Sequence, residues 1–90
     1  MKTAQEFREI AIKEMSTPDM VEASKIIETL IFDAINKGRN YISLNTGFAT
    51  FRDLCDLAKG YDNLKTYLEL HGYTVSTSNF DGSSFFTVSF

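Results

Sequence analysis

The last eighteen residues constrain this chain most. Tyr73-Thr74-Val75-Ser76-Thr77-Ser78 and Ser84-Phe85-Phe86-Thr87-Val88-Ser89-Phe90 alternate aromatic or β-branched residues with small hydroxyl residues. That period-two pattern belongs to strands with one buried face. Between the runs, Asn79-Phe80-Asp81-Gly82-Ser83 reads as a hairpin loop, with Asp-Gly supplying the positive backbone angles a tight turn needs. The expected product is an antiparallel hairpin with Tyr73, Val75, Phe86, Val88 and Phe90 on one face. Pattern alone leaves the register open.

A hairpin must bury that face against something, and the rest of the chain supplies helices. Thr3 and Glu6 form a capping box, predicting a helix from Ala4 to Met15 with Phe7, Ile10, Ala11 and Met15 on one side. Thr17-Pro18-Asp19 then combines an N-cap, a proline at the first helical position and a charge that complements the helix dipole. This second helix is expected to stop at Gly38, with Met20, Ala23, Ile27, Leu30, Ile31 and Ala34 as its inner stripe. Ile26, Phe32 and Ile35 widen that stripe, so a helix this broad calls for cover on more than one side. Asn40–Asn45 reads as a strand and Thr46-Gly47 as a turn. Thr50 is positioned to cap a third helix, Phe51 to Lys59, which Gly60 ends. Asp62 is positioned to cap a fourth that stops at Gly72.

The expectation is one α+β domain over residues 1–90. It has a three-stranded antiparallel sheet with helices packed on one face, in the order α-α-β-α-α-β-β. The other sheet face then shows Tyr41, Ser43, Thr74, Ser76, Phe85, Thr87 and Ser89.

Composition narrows the function. Eight Phe and four Tyr among ninety residues supply more rings than a core this small needs, and a surplus on the surface marks a contact site. Tyr41, Phe48, Phe80 and Phe85 are the candidates for an interface. The net charge of −3 argues against general nucleic-acid binding, which requires a basic face. No apolar run reaches membrane-spanning length, and Met1–Phe7 lacks the hydrophobic centre of a secretion signal. With a single cysteine and so no internal disulfide, the expected location is the cytoplasm.

Chemical signatures are sparse. Cys55 reads as a small helix residue turned to the core. A catalytic role would need His71, the only histidine, brought to it or to the Asp53/Asp56 pair. Converging metal ligands are missing from the pattern, and no cofactor is implied. The loop from Asn45 into the third helix suits an anion at the helix N-terminus. Asn45, Thr46 and Thr50 with Arg39 and Arg52 nearby in sequence are the ligand-binding candidates, set against a plain turn followed by an N-cap.

The opening Met1-Lys2-Thr3-Ala4 helix, the Ala34-x-x-x-Gly38 helix end leading to a strand, and Leu68-x-x-x-Gly72-Tyr73-x-Val75 entering a terminal hairpin resemble small α+β proteins encoded by bacteriophages. That resemblance implies a host-takeover or anti-defence role: inhibition of a host protein by binding it, within the host cytoplasm, or sequestration of a small nucleotide-like signalling ligand. It carries no catalytic residues. Two other readings stand beside the host-protein inhibitor. One is a homo-oligomeric sponge holding such a ligand between subunits. The other is a small enzyme using Cys55 or the aspartates with His71. Wide apolar helix faces on so short a chain make a homo-oligomer the expected state.

Overall fold

Alternating residues build a sheet only when its register sets every apolar side chain on one side, and here the register does so. The computed structural model describes all ninety residues, as α1 (Ala4–Met15), α2 (Pro18–Asn36), β1 (Tyr41–Asn45), α3 (Ala49–Ala58), α4 (Tyr61–Leu70), β2 (Thr74–Phe80) and β3 (Ser83–Ser89). The sheet is antiparallel in the order β1-β3-β2, so the last strand is central and both others are edges. Ile42, Val88 and Val75 align in one row across it, and Leu44, Phe86 and Thr77 in the next but one. These side chains point at the helices. Tyr41, Ser43, Phe85, Thr87, Ser89, Thr74 and Ser76 occupy the opposite face, which no helix covers, and the α+β order is the expected one.

The hairpin is tighter than its sequence suggests. Asp81 (φ 52°) and Gly82 (φ 79°) alone make the turn, and Phe80 pairs directly with Ser83. Two consecutive positive φ angles match the twist of the flanking strands, so pairing continues to the turn. Phe80 is therefore the last residue of β2 and not part of a loop.

Capping follows the sequence in the first half and departs from it in the second. Thr3 and Glu6 cap α1 reciprocally. Thr17 Oγ1 accepts the Met20 amide at 3.1 Å, with Pro18 behind it. At α3, however, Phe48 occupies the N-cap position and Thr50 lies inside the first turn. The Asn45 side chain has already turned the chain ahead of the helix, accepting the Gly47 amide at 2.8 Å. Between α3 and α4 the break falls where glycine was expected, but with different roles. Lys59 itself takes the left-handed terminating conformation (φ 63°). Gly60, at φ 129° and ψ 156°, becomes the N-cap of α4, and Asp62 falls within the first turn. That region of φ/ψ is open essentially to glycine alone.

Fourteen residues are buried, and all are apolar or aromatic. Phe86 stands at the centre, fully buried, with the Phe51 ring 5.3 Å away and the Tyr61 ring 5.9 Å away. The α2 stripe is buried as expected at Met20, Ala23, Ile27, Ile31 and Ala34, with Leu30 and Ile26 packed against it. α2 lies on α3 and β1, which leaves Phe32 (67% exposed) and Ile35 (51%) without cover.

α1 departs further from expectation. It docks chiefly on α4 through Ile12 and Met15. Ser16 Oγ, 3.1 Å from the Tyr67 hydroxyl, ties its end. Phe7 and Ile10 remain exposed, and no α1 residue is buried. Of the predicted stripe, Ala11 and Met15 are half-buried while Phe7 and Ile10 are not, and Ile12, outside the stripe, packs in their stead.

Adding a methyl at Gly60 meets no neighbouring atom, so its whole effect is on the backbone. Gly60→Ala is expected to destabilise the fold by about 1–3 kcal/mol, read as a fall of roughly 4–8 °C in Tm per kcal/mol in thermal melts. Phe86→Ala, which empties the centre of the core, is expected to cost about 3–5 kcal/mol in urea denaturation.

Candidate functional site

Because β3 is central and the helices sit on one side, the residues of the open face are held by strands and not by loops. Phe85 lies between Asn45 of β1 and Ser78 of β2. Phe80, 75% exposed, is paired with Ser83, two positions along from Phe85 on the same face. Such diagonal neighbours stand roughly 7–8 Å apart, within reach of aromatic side chains. The loop after β1 adds a third ring at this end of the sheet. Thr46 donates both its amide (3.0 Å) and its hydroxyl (3.3 Å) to the Ser84 carbonyl, which pins the loop beside Phe85. Phe48, two residues on, is 66% exposed. Tyr41, the fourth candidate, is opposite Ser89 at the other end of the sheet. Three of the four rings singled out in the sequence thus gather at the hairpin end, amid Ser78, Ser83 and Asn45, and Tyr41 does not join them.

The ligand-binding candidates divide. Asn45, Thr46, Thr50 and Arg52 lie together around the loop into α3. Arg39 precedes β1, at the opposite end of that strand from Asn45. There it lines a groove with Asp33 and Lys37, which are themselves paired at 2.9 Å. The polar atoms of the loop are also committed: Asn45 Oδ1 to the Gly47 amide and Thr46 Oγ1 to Ser84. The Asn45 oxygen and the Thr46 hydroxyl thus serve the loop's own turn and its tie to β3.

A cleft of about 260 Å³ lies between α2 and α4, lined by residues that include Ser24, Glu28, Tyr67, His71 and Tyr73. This is below the usual span of small-molecule sites, roughly 300–1,000 Å³. His71 sits at the end of α4 with its ring edge-on to Tyr67, 4.7 Å between centroids. Cys55, Asp53 and Asp56 do not line this cleft, so it does not assemble the pairings with His71 that an enzyme would need. No three His, Cys, Asp or Glu side chains converge as a metal set. Cys55 is half-buried, and burial, reinforced by the neighbouring Asp56 charge, pushes its thiol above the usual value. Both effects disfavour the thiolate, the reverse of what activates a nucleophile. No helix is long and apolar enough to cross a membrane.

Comparison with protein families, with curated proteins and with solved structures finds no match for this chain.

Facing of the strands is the signal that gathers the rings. Parity along β3 puts Phe85 on the open side from sequence alone. The two-residue turn puts Phe80 on that same face, and the Thr46–Ser84 bond brings the loop that carries Phe48 to this end of the sheet.

Because its thiolate is disfavoured, Cys55 is expected to react with iodoacetamide at pH 8 more slowly than the same cysteine in the unfolded chain. Asp56→Asn removes the lesser of the two causes, lowers the thiol pKa and raises the rate without restoring it fully. Equal rates for folded and unfolded chains, followed by mass spectrometry, would show the thiol to be unperturbed.

Proposed function

We propose that the protein is a non-catalytic binding protein that docks a partner protein on the hairpin end of its open sheet face. The observation that carries this reading is the placement of Phe80 and Phe85 at diagonal positions on one uncovered sheet face, with exposed Phe48 on the loop at the same end. Aromatic anchors at the centre of a patch with a polar, hydrogen-bonding rim are what protein interfaces use. The surrounding Ser78, Ser83, Asn45 and Thr87 form such a rim and hold no charge to be desolvated. The phage-like outline of the sequence supports a host protein as the partner and inhibition as the outcome, in the host cytoplasm.

The test pairs a double variant with a control. Phe80→Ser/Phe85→Ser changes only the open face and is expected to leave the fold intact by circular dichroism. Phe32→Ser removes an equally exposed ring on the helical side. Wild type and both variants are immobilised and challenged with bacterial lysate, and any retained protein is purified and titrated. The expected result is one partner held by wild type and Phe32→Ser alike, and bound at least about tenfold more weakly by the double variant, the loss typical of a truncated aromatic anchor. A partner bound equally by all three overturns the assignment of the face.

A further inference from the structure

We propose that β2 pairs with β2 of a second copy across a two-fold axis, joining two three-stranded sheets into one six-stranded antiparallel sheet. The proposal concerns the edge of the sheet. It is independent of the reading of its open face, which stays exposed in such a dimer.

The backbone of β2 is half unused. Along β3, the Ser84 carbonyl and the Phe90 amide bond toward the β1 side, to Thr46 and Asn40. Ser84, Phe86, Val88 and Phe90 therefore turn their peptide groups to β1, and Ser83, Phe85, Thr87 and Ser89 turn theirs to β2. Their partners on β2 are Phe80, Ser78, Ser76 and Thr74. The amides and carbonyls of Val75, Thr77 and Asn79 consequently point outward from the edge, and no other group in the chain bonds them.

This edge lacks the devices that keep strands apart. Natural edges are blunted by charge, proline, bulges or brevity. β2 is seven residues long, Thr74-Val75-Ser76-Thr77-Ser78-Asn79-Phe80, without a charge or a proline. Its pairing with β3 runs without a bulge from Thr74 to Phe80, and every residue but Val75 is exposed. β1 is different: its outer side adjoins a groove lined by Asp33, Lys37 and Arg39.

The occupant follows from self-complementarity. Antiparallel pairing centred on Thr77 sets Thr77 opposite its copy, Val75 opposite Asn79, Ser76 opposite Ser78, and Thr74 opposite Phe80. All outward amides and carbonyls of the three free residues then find partners in the same register. A two-fold axis brings like residues together, which an edge with charges would resist, and hydroxyl pairs across strands are favourable. The surface of the single chain leaves room for a copy. It exposes 6076 Å², against roughly 5,300 Å² for a compact monomer of its mass. That excess is comparable to one side of a standard interface, about 800 Å².

The experiment is sedimentation equilibrium over a range of concentrations, with amide hydrogen exchange on the same samples. Wild type is expected to dimerise, with the Val75, Thr77 and Asn79 amides gaining protection as the dimer forms. Thr77→Pro deletes only an outward amide, so the monomer keeps its ladder; it is expected to raise the dimer Kd by at least about tenfold through two lost hydrogen bonds. Thr77→Lys, which sets two like charges on the axis, is expected to do the same and to recover partly in high salt. Ser43→Pro makes the matched change on the β1 edge and is expected to leave the dimer intact. A wild type that stays monomeric at all concentrations overturns the proposal. So does a dimer in which those three amides stay unprotected, or one weakened by Ser43→Pro and not by the Thr77 variants.

Discussion

Phe86 is the joint on which the architecture turns. It sits on the central strand, aligned with Leu44 on one side and Thr77 on the other, and is closed over by Phe51 and Tyr61. Those two rings come from the first turns of successive helices. They reach one point because α3 and α4 are joined with almost no linker, the chain passing through the left-handed Lys59 and the positive-φ Gly60. The tilted and edge-on ring contacts contribute about 0.5–1.5 kcal/mol each beyond the area they bury. Sheet, third helix and fourth helix thus share one fastening, and the backbone at Gly60 sets whether it can close.

A layer fastened from one side leaves the other side free, and composition explains why that is tolerable. On the open face the strands carry Ser, Thr and Asn between a few rings, and these hydroxyls and amides are at ease in water. The apolar half of the alternation is spent on the helices. This division gives a small chain a flat, strand-borne platform whose shape does not depend on loops. It also limits deep pockets: with fourteen buried residues, the interior is filled by side chains, and the cleft at His71 is shallow in consequence.

The α+β order, the two-layer arrangement and the facing of the strand residues are legible in the sequence, because alternation and capping are local signals. Thr3, Glu6, Thr17 and Pro18 announce their helices through contacts within four residues. Thr50 and Asp62 carry the same letters and do not cap, because Asn45 had already turned the chain before α3 and Gly60 met the need at α4. Phe80 reads as a loop residue because the extent of a hairpin depends on two backbone angles, here those of Asp81 and Gly82, not on hydrophobicity. Arg39 and Arg52 are close in sequence, but β1 lies between them, Arg39 before it and Arg52 in α3 after it. Phe7 and Ile10 show the same limit: periodicity identifies a helix's apolar residues but not which of them its neighbour reaches.

α1 has a consequence for how the molecule comes apart. It is held by a half-buried strip, Ile12 and Met15, and by one hydroxyl contact between Ser16 and Tyr67, while the other elements share the closed core. Opening free energies within a protein scale with the buried contacts each unit must give up. α1 therefore has fewer fully buried contacts to give up than the other elements, none of its residues being buried. The sheet and α2–α4 thus hold the closed interior between them, and α1 is an outer addition laid against α4.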